Sequence, residues 1–318
     1  MIRIERWLFA PVLLVLLWPT APPLRAAGLS LPPNMAAILD HIYSGQHELA
    51  LSEIHELQQK FPTHPLPYLL EAELDWWRIW CTSAEFKYGM TMARHREKSL
   101  ADQEYLDLAR KAYGFAEAGL RKQETGEMHL YAGMADALEA RLYGLRWDTR
   151  ATARSGVRAR EHFLSALARD PALADADTGL GLYNYYVDTL STMARVLRFF
   201  MGIPGGTKEE GILQLNIGIR AGQLTPSVAR FYLALNLENY DQRYEEALQA
   251  VGPLAEKYPQ NPMYLLVRGD LNAKLGRKKL AEGSYRAALA AAGQFEEPQC
   301  KEKMTQLAHQ SLTALGVS

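Results

Sequence analysis

The chain has 318 residues, a formal charge of −1, 48% hydrophobic residues and 22% charged residues. A chain of this length and composition can bury a sizeable core, which excludes disorder by composition. The sequence contains no lysine and arginine stripe of the kind that forms a phosphate-binding face, so we expect no nucleic acid partner.

Residues 1–26 join a short basic start to an apolar run, followed by the small residue Ala26 at an acceptable cleavage site. This order is typical of a secretory signal peptide, because the apolar run is too short to span a bilayer comfortably. We predict export, with the bacterial periplasm as the destination, and no membrane span in the mature chain. Secretion beyond the periplasm and an uncleaved amino-terminal anchor are the alternatives.

A first pair of helices follows the leader. Residues 34–65 predict one helix to about Ser44, a turn at Gly45, and a second helix that contains Ala50. Pro62 then closes the pair, because proline cannot continue a helix and disfavours helical geometry in the residue before it.

A second pair begins at Pro65, but residues 82–99 interrupt it as an insertion. Its second helix, over 101–122, carries its apolar and small residues on one stripe at helical spacing. A third pair is predicted over 127–144 and 152–168.

The fourth unit starts at Ala174, and its first helix is predicted to continue to Phe200, which places a second insertion near 187–204. Two further pairs occupy 226–292. Residues 296–315 then predict a polar-faced capping helix, which the end of a helical array requires.

The last two pairs contain the clearest internal repeat. Ala247 is followed 34 residues later by Ala281. Gly269 falls where two helices approach closely, and Tyr285 falls on the bulky position of a second helix. This period is that of a tetratricopeptide repeat.

Residues 34–65, 159–182 and 226–292 resemble the tetratricopeptide-repeat family, in its exported bacterial form with irregular and lengthened helices. The resemblance implies an all-α, right-handed α-solenoid of five or six antiparallel helix pairs with a C-terminal capping helix, in one domain over 27–318. It also implies a non-enzymatic scaffold without cofactor or metal, whose concave face, lined by the first helices, binds a protein or peptide.

Two cysteines are present, Cys81 and Cys300. An exported protein could join them. In a solenoid, however, each unit touches only its neighbours, so these residues would meet only if the ends of the array curled together. We therefore favour a buried thiol at Cys81 over a disulfide.

Aromatic residues fill most of the positions on the last turn of the concave side of the first helices. Tyrosine and tryptophan offer large amphipathic surfaces that are favoured in binding hot spots. The residues predicted to line a partner-binding groove are Tyr43, Trp76, Trp77, Tyr185, Tyr186, Asn236 and Tyr240. The alternative is that the lengthened helices bury these rings in the core.

Two other patterns invite a binding function. The turn over 202–207 precedes Lys208 at a helix start, but it lacks the spacing and the preceding strand of a phosphate loop. Thr207 followed by Glu210 more simply forms a capping box. The Lys/Arg and Asn residues of a clamp for a terminal carboxylate are also absent from the early positions of the first helices.

Glu73 and Asp75 lie beside Trp76 and Trp77, which suggests carboxylates flanking a sugar platform. This favours an alternative function, a binding module for cell-wall glycan or peptide with a minor chance of hydrolysis. Successive acids at spacing two point to different helix faces, so a solvated edge is the simpler interpretation. The three histidines between positions 41 and 55 lack the spacing of a zinc helix.

Overall fold

A computed structural model describes residues 28–82, 98–191, 198 and 202–317. These residues form thirteen α-helices and no β-strand, as the sequence predicts. The helices are α1 Met35–Ser44, α2 His47–Lys60, α3 Pro65–Thr82, α4 Leu100–Lys122, α5 Gly126–Leu145, α6 Thr149–Arg169, α7 Asp175–Asp188, α8 Lys208–Ala221, α9 Pro226–Asn236, α10 Tyr244–Lys257, α11 Pro262–Lys274, α12 Lys278–Ala292 and α13 Pro298–Ala314. A π-helical turn, Leu237–Asp241, follows α9.

Glycine and proline set many of the helix ends. Gly45 ends α1 with a φ of 85°, a left-handed conformation that favours glycine. Pro226, Pro262 and Pro298 begin α9, α11 and α13. A proline is tolerated there because the first backbone N–H groups of a helix have no acceptor within the helix.

Neighbouring helices pack against each other in six successive pairs, from α1 with α2 to α11 with α12, and α13 packs on the last pair. Close approach within a pair depends on small residues. An added Cβ at Gly269 in α11 would overlap the ring of Tyr285 in α12. The arrangement is consistent with an α-solenoid, and α13 confirms the predicted carboxyl-terminal helix.

The array also closes on itself, because α13 packs against α3. Cys81 in α3 and Cys300 in α13 form a disulfide, with Cα atoms 5.4 Å apart across 219 residues of sequence. The expectation that these cysteines lie apart is therefore wrong. The ends of the array do curl together, which neighbour-only packing did not anticipate.

Further contacts hold the first pair against the last two. Asp40 in α1 accepts hydrogen bonds from Lys257 Nζ at 2.6 Å and from the Tyr258 hydroxyl at 2.8 Å. The Asn261 amide donates to the carbonyl oxygen of Tyr43 at 2.8 Å. Helix α1 therefore contacts the end of α10 and the turn before α11 directly.

Helix α7 ends at Asp188, so the prediction that it continues to Phe200 is wrong. The hydroxyl of Thr189 donates to the carbonyl oxygen of Tyr186 at 2.7 Å, an alternative to helix continuation. The predicted signal peptide, 1–26, and most of the first insertion, 83–97, lie outside the described residues. Among the helices described, none has the length and apolarity needed to cross a membrane.

Candidate functional site

The residues predicted to line the concave groove fall into two clusters, and the first surrounds Trp77. Trp76 and Trp77 are 0% and 2% exposed, and Tyr43 is equally buried. The Trp77 ring centroid lies 6.0 Å from that of Tyr43 in α1, 5.1 Å from that of Phe231 in α9 and 6.2 Å from that of Tyr264 in α11. Rings from α1, α3, α9 and α11 therefore pack together in the interior, as the core alternative expects.

The second cluster lies where α7 meets the π-helical turn. The ring centroids of Tyr185, Tyr186 and Tyr240 are separated by 5.9 to 6.4 Å. Tyr185 and Asn236 are buried, whereas Tyr186 and Tyr240 keep partial exposure. Of the seven predicted residues, only these last two present surface to a partner, so a partner-binding role for the set stays a prediction.

A buried ion pair lies beside the first cluster. Arg141 Nη2 in α5 donates to Glu73 Oε2 at 2.6 Å, and Trp77 Nε1 donates to Glu73 Oε1 at 2.9 Å. The Arg141 guanidinium also lies over the Trp76 ring, 4.4 Å from its centroid. Burial opposes the arginine charge, but the Glu73 carboxylate together with Tyr105 and Tyr232 offsets it, so the pKa of Arg141 lies above its ordinary value.

These contacts account for both carboxylates of the proposed sugar platform. Glu73 binds Arg141 and Trp77 in the interior. Asp75 lies 3.5 Å from Arg78, and burial raises the pKa of Asp75 to about 6 although Arg78 opposes the shift. The two acids therefore do not flank an exposed ring.

The glycine turn before α8 is used structurally. Thr207 Oγ1 accepts a hydrogen bond from Glu210 N at 3.2 Å, which confirms Thr207 as the helix cap. Lys208 Nζ is paired with Asp241 Oδ1 at 2.5 Å, so its charge is compensated within the chain. In the described part of the chain, no group of three or more His, Cys, Asp or Glu side chains is placed to hold a metal ion.

An open groove lies between α10 and α12, the second helices of the last two pairs. It encloses about 650 Å³. Helices α10 and α12 form its walls and α11 forms its floor. We call it the outer groove, and its defining residues are Leu248, Gly252, Arg268, Asn272, Leu280 and Gly283.

The shape of the outer groove depends on two glycines within helices. A Cβ added at Gly252 or Gly283 would have no heavy atom within 4 Å, so both positions face open space. Leu280 stands beside them with 60% of its surface exposed, and Leu248 is partly buried on the opposite wall. The groove therefore offers apolar contact and room for another backbone to approach closely.

The charge of the outer groove comes from three cationic and two acidic side chains, an excess of one positive charge. Arg277 and Glu245 form an ion pair with each other at the rim. Arg268, on the floor, has no carboxylate oxygen within 4.0 Å among the described residues. The pairing of Arg277 with Glu245 compensates two of these charges, which leaves Arg268 and Lys279 against Glu256.

Sequence reasoning placed the binding surface on the first helices and missed the outer groove. One signal was available, because a glycine inside a helix costs stability and needs a reason. Gly283 has no packing partner that would explain it. An open surface that tolerates the missing side chain is the physical alternative.

No family model matches the chain, and no curated protein is significantly similar to it. The described residues define an all-helical protein built of consecutive helix pairs, with a buried aromatic cluster around Trp77 and an open outer groove.

Proposed function

We propose that the helix pairs are irregular tetratricopeptide repeats. Ala247 and Ala281, which set the 34-residue period, are both fully buried at equivalent places in α10 and α12. Gly269 approaches Tyr285, and Gly179 approaches Phe163, at the small and bulky positions that the repeat requires. Closure of the array supports an irregular version of the repeat.

We further propose that the protein is a non-enzymatic interaction module that binds a segment of another protein or peptide in the outer groove. The observation that carries this proposal is the open space above Gly283, which lies between an exposed leucine and an arginine without a carboxylate partner. Grooves between helices are a recurring surface for peptide recognition.

The glycan alternative has less support. It needs exposed rings as a stacking platform, whereas Trp76 and Trp77 are buried and Glu73 is bound to Arg141. The outer groove has no aromatic ring among the residues that line it, so it does not offer such a platform either.

We propose that the module acts in the cell envelope, with the periplasm as its compartment. The Cys81–Cys300 disulfide is compatible with an oxidising compartment. The leader pattern in residues 1–26 supports the same location.

A random dodecapeptide library displayed on phage tests the proposal, with the purified, disulfide-bonded protein as bait. Gly283→Leu should fill the groove and favour helix α12, because leucine has a higher helix propensity than glycine. Gly114→Leu is the matched control, since Gly114 is also exposed inside a helix with no heavy atom within 4 Å of an added Cβ.

We expect the wild-type protein and the Gly114→Leu variant to enrich the same peptides, and the Gly283→Leu variant to enrich none of them. Enrichment of the same peptides by the Gly283→Leu variant would show that the outer groove is not the binding surface. If the wild-type protein enriches no peptide, the peptide-binding function is wrong.

A further inference from the structure

We propose that Arg268 is a carboxylate receptor, so that the outer groove selects a protein segment in which an acidic residue stands next to an apolar one. This inference rests on the proposed function and names the chemistry of its ligand. Its basis is the hydrogen-bonding state of one guanidinium on the groove floor.

The guanidinium of Arg268 is held in place from one side only. Its Nε donates to Ser284 Oγ at 3.2 Å, and the Ser284 hydroxyl itself donates to the carbonyl oxygen of Leu280 at 2.9 Å. Asn272 Nδ2 donates to the backbone carbonyl oxygen of Arg268 at 2.8 Å. The bond to Ser284 orients the Arg268 side chain from α11 toward α12, whereas the Asn272 bond lies within α11 and reaches only the backbone.

The two terminal nitrogens of Arg268 make no hydrogen bond and no ion pair within the described part of the chain. Arginine presents these N–H groups as a rigid fork that matches the geometry of a carboxylate. The side chain is partly buried, so a ligand carboxylate would meet it with less water between the charges than on an open surface.

The other cations of the groove are less suited to this role. Arg277 is already paired with Glu245. Lys279 carries a point charge without the planar fork of a guanidinium. Arg268 is therefore the group that would bind a single ligand carboxylate through two hydrogen bonds.

The surroundings of Arg268 define the rest of the ligand. Leu280 exposes 60% of its surface on one wall, and Leu248 and Pro253 lie on the other. The acidic side chains Glu245 and Glu256 also line the groove, so its net excess is one positive charge, which a single ligand carboxylate would balance. Charge complementarity thus favours one carboxylate beside an aliphatic or aromatic side chain.

An array of blocked octapeptides tests this assignment. Each sequence places leucine next to glutamate, and matched copies carry glutamine or lysine instead of glutamate. Acetylated and amidated ends leave the glutamate side chain as the only carboxylate of each peptide. A second set with a free carboxyl terminus tests whether a terminal carboxylate binds instead. Binding is measured with the wild-type, Arg268→Gln, Arg268→Lys and Gly283→Leu proteins.

We expect wild-type protein to bind glutamate peptides about tenfold more tightly than their glutamine copies, since a hydrogen bond to a charged group is worth this much. Arg268→Gln should bring the ratio of the two affinities, glutamate peptide to glutamine peptide, close to one. It should leave the binding of the glutamine peptides unchanged. Arg268→Lys should retain part of the preference, and thermal unfolding should show that each variant is folded.

Three outcomes would contradict either the assignment of Arg268 or the proposed peptide binding. If Gly283→Leu abolishes binding while Arg268→Gln keeps the glutamate preference, the groove binds peptides but Arg268 is not the receptor. If glutamine peptides bind as tightly as glutamate peptides, the carboxylate assignment is wrong. If wild-type protein binds no octapeptide, the proposed function fails together with this inference.

Discussion

The ring of His47 stands edge-on to the ring of Phe295, with 5.7 Å between the ring centroids. His47 begins α2 and Phe295 precedes α13, so the contact belongs to the closure of the array. Burial lowers the pKa of His47 to about 4, and neither ring nitrogen has a hydrogen-bond partner among the residues that the structure describes. The closure therefore contains a histidine that is buried in its neutral form.

This state of His47 predicts that acid weakens the fold. The unfolded chain binds the His47 proton near pH 6.5 and the folded chain near pH 4. The contribution of neutral His47 is thus fully present above pH 6.5 and falls as the pH approaches 4. At pH 5 the loss should be about 2 kcal/mol of the free energy of unfolding.

His47→Leu should remove this pH dependence. Burial also raises the pKa of Asp75 and of Asp136 to about 6, so both take up protons in the folded state over the same range and oppose the trend. The quantity to measure is therefore the difference in urea unfolding free energy between wild type and variant, from pH 7 to pH 4.5. A constant difference across this range would contradict the prediction.

Reduction of the Cys81–Cys300 disulfide should lower the free energy of unfolding by about 2–5 kcal/mol, because the bond closes a very long loop of the unfolded chain. Urea unfolding with and without a thiol reductant measures the effect. The double variant Cys81→Ala with Cys300→Ala should be insensitive to the reductant. Equal midpoints for oxidised and reduced wild type would show that the closure does not depend on this bond.

Arg141→Met should destabilise the protein by about 3–5 kcal/mol, because it leaves the Glu73 carboxylate buried without its partner. The two side chains are only 11% and 14% exposed. Adding Glu73→Gln to Arg141→Met should recover part of the loss, as urea unfolding of the four proteins would show.

Arg110→Met serves as the control for the buried pair. Arg110 pairs with Glu139 at 3.3 Å, but its side chain is 50% exposed. Loss of that pair should cost less than about 1 kcal/mol. If the two arginine variants lose similar amounts of unfolding free energy, the burial of Arg141 does not strengthen its ion pair.

Two glycine substitutions should change stability in opposite directions. Gly269→Ala adds a Cβ that overlaps the Tyr285 ring, which should cost about 1–3 kcal/mol. Gly283→Ala adds a Cβ in open space inside α12 and should stabilise by about 0.5–1 kcal/mol. Thermal unfolding measures both, and a stabilised Gly269→Ala protein would rule out the close approach of α11 and α12.

Trp77→Ala should cost about 3–5 kcal/mol, because the ring is surrounded by aromatic side chains in the interior. Phe61→Ala, at a ring that is 48% exposed, should change stability by no more than about 0.5 kcal/mol. If the Trp77→Ala variant unfolds at the wild-type midpoint, the ring is a surface group. That result would favour the prediction that Trp77 lines a binding groove.

Most of the local structure could be predicted from the sequence. The turn at Gly45, the prolines that begin α9, α11 and α13, and the cap at Thr207 depend on residues within a few positions of one another. The site could not be predicted in the same way. Whether Trp77 lines a groove or fills a core depends on Phe231 and Tyr264, which are far away in sequence.

The sequence by itself therefore determined the helices, their order and their pairing, since backbone propensities and apolar spacing act over short distances. The tertiary structure alone decided that α3 meets α13, that Cys81 bonds to Cys300, and that Arg268 lies on an open floor. The physical reason is that these contacts join residues far apart in sequence. Neighbouring pairs determine only their own packing, whereas the contact of α3 with α13 depends on how all the pairs stack together.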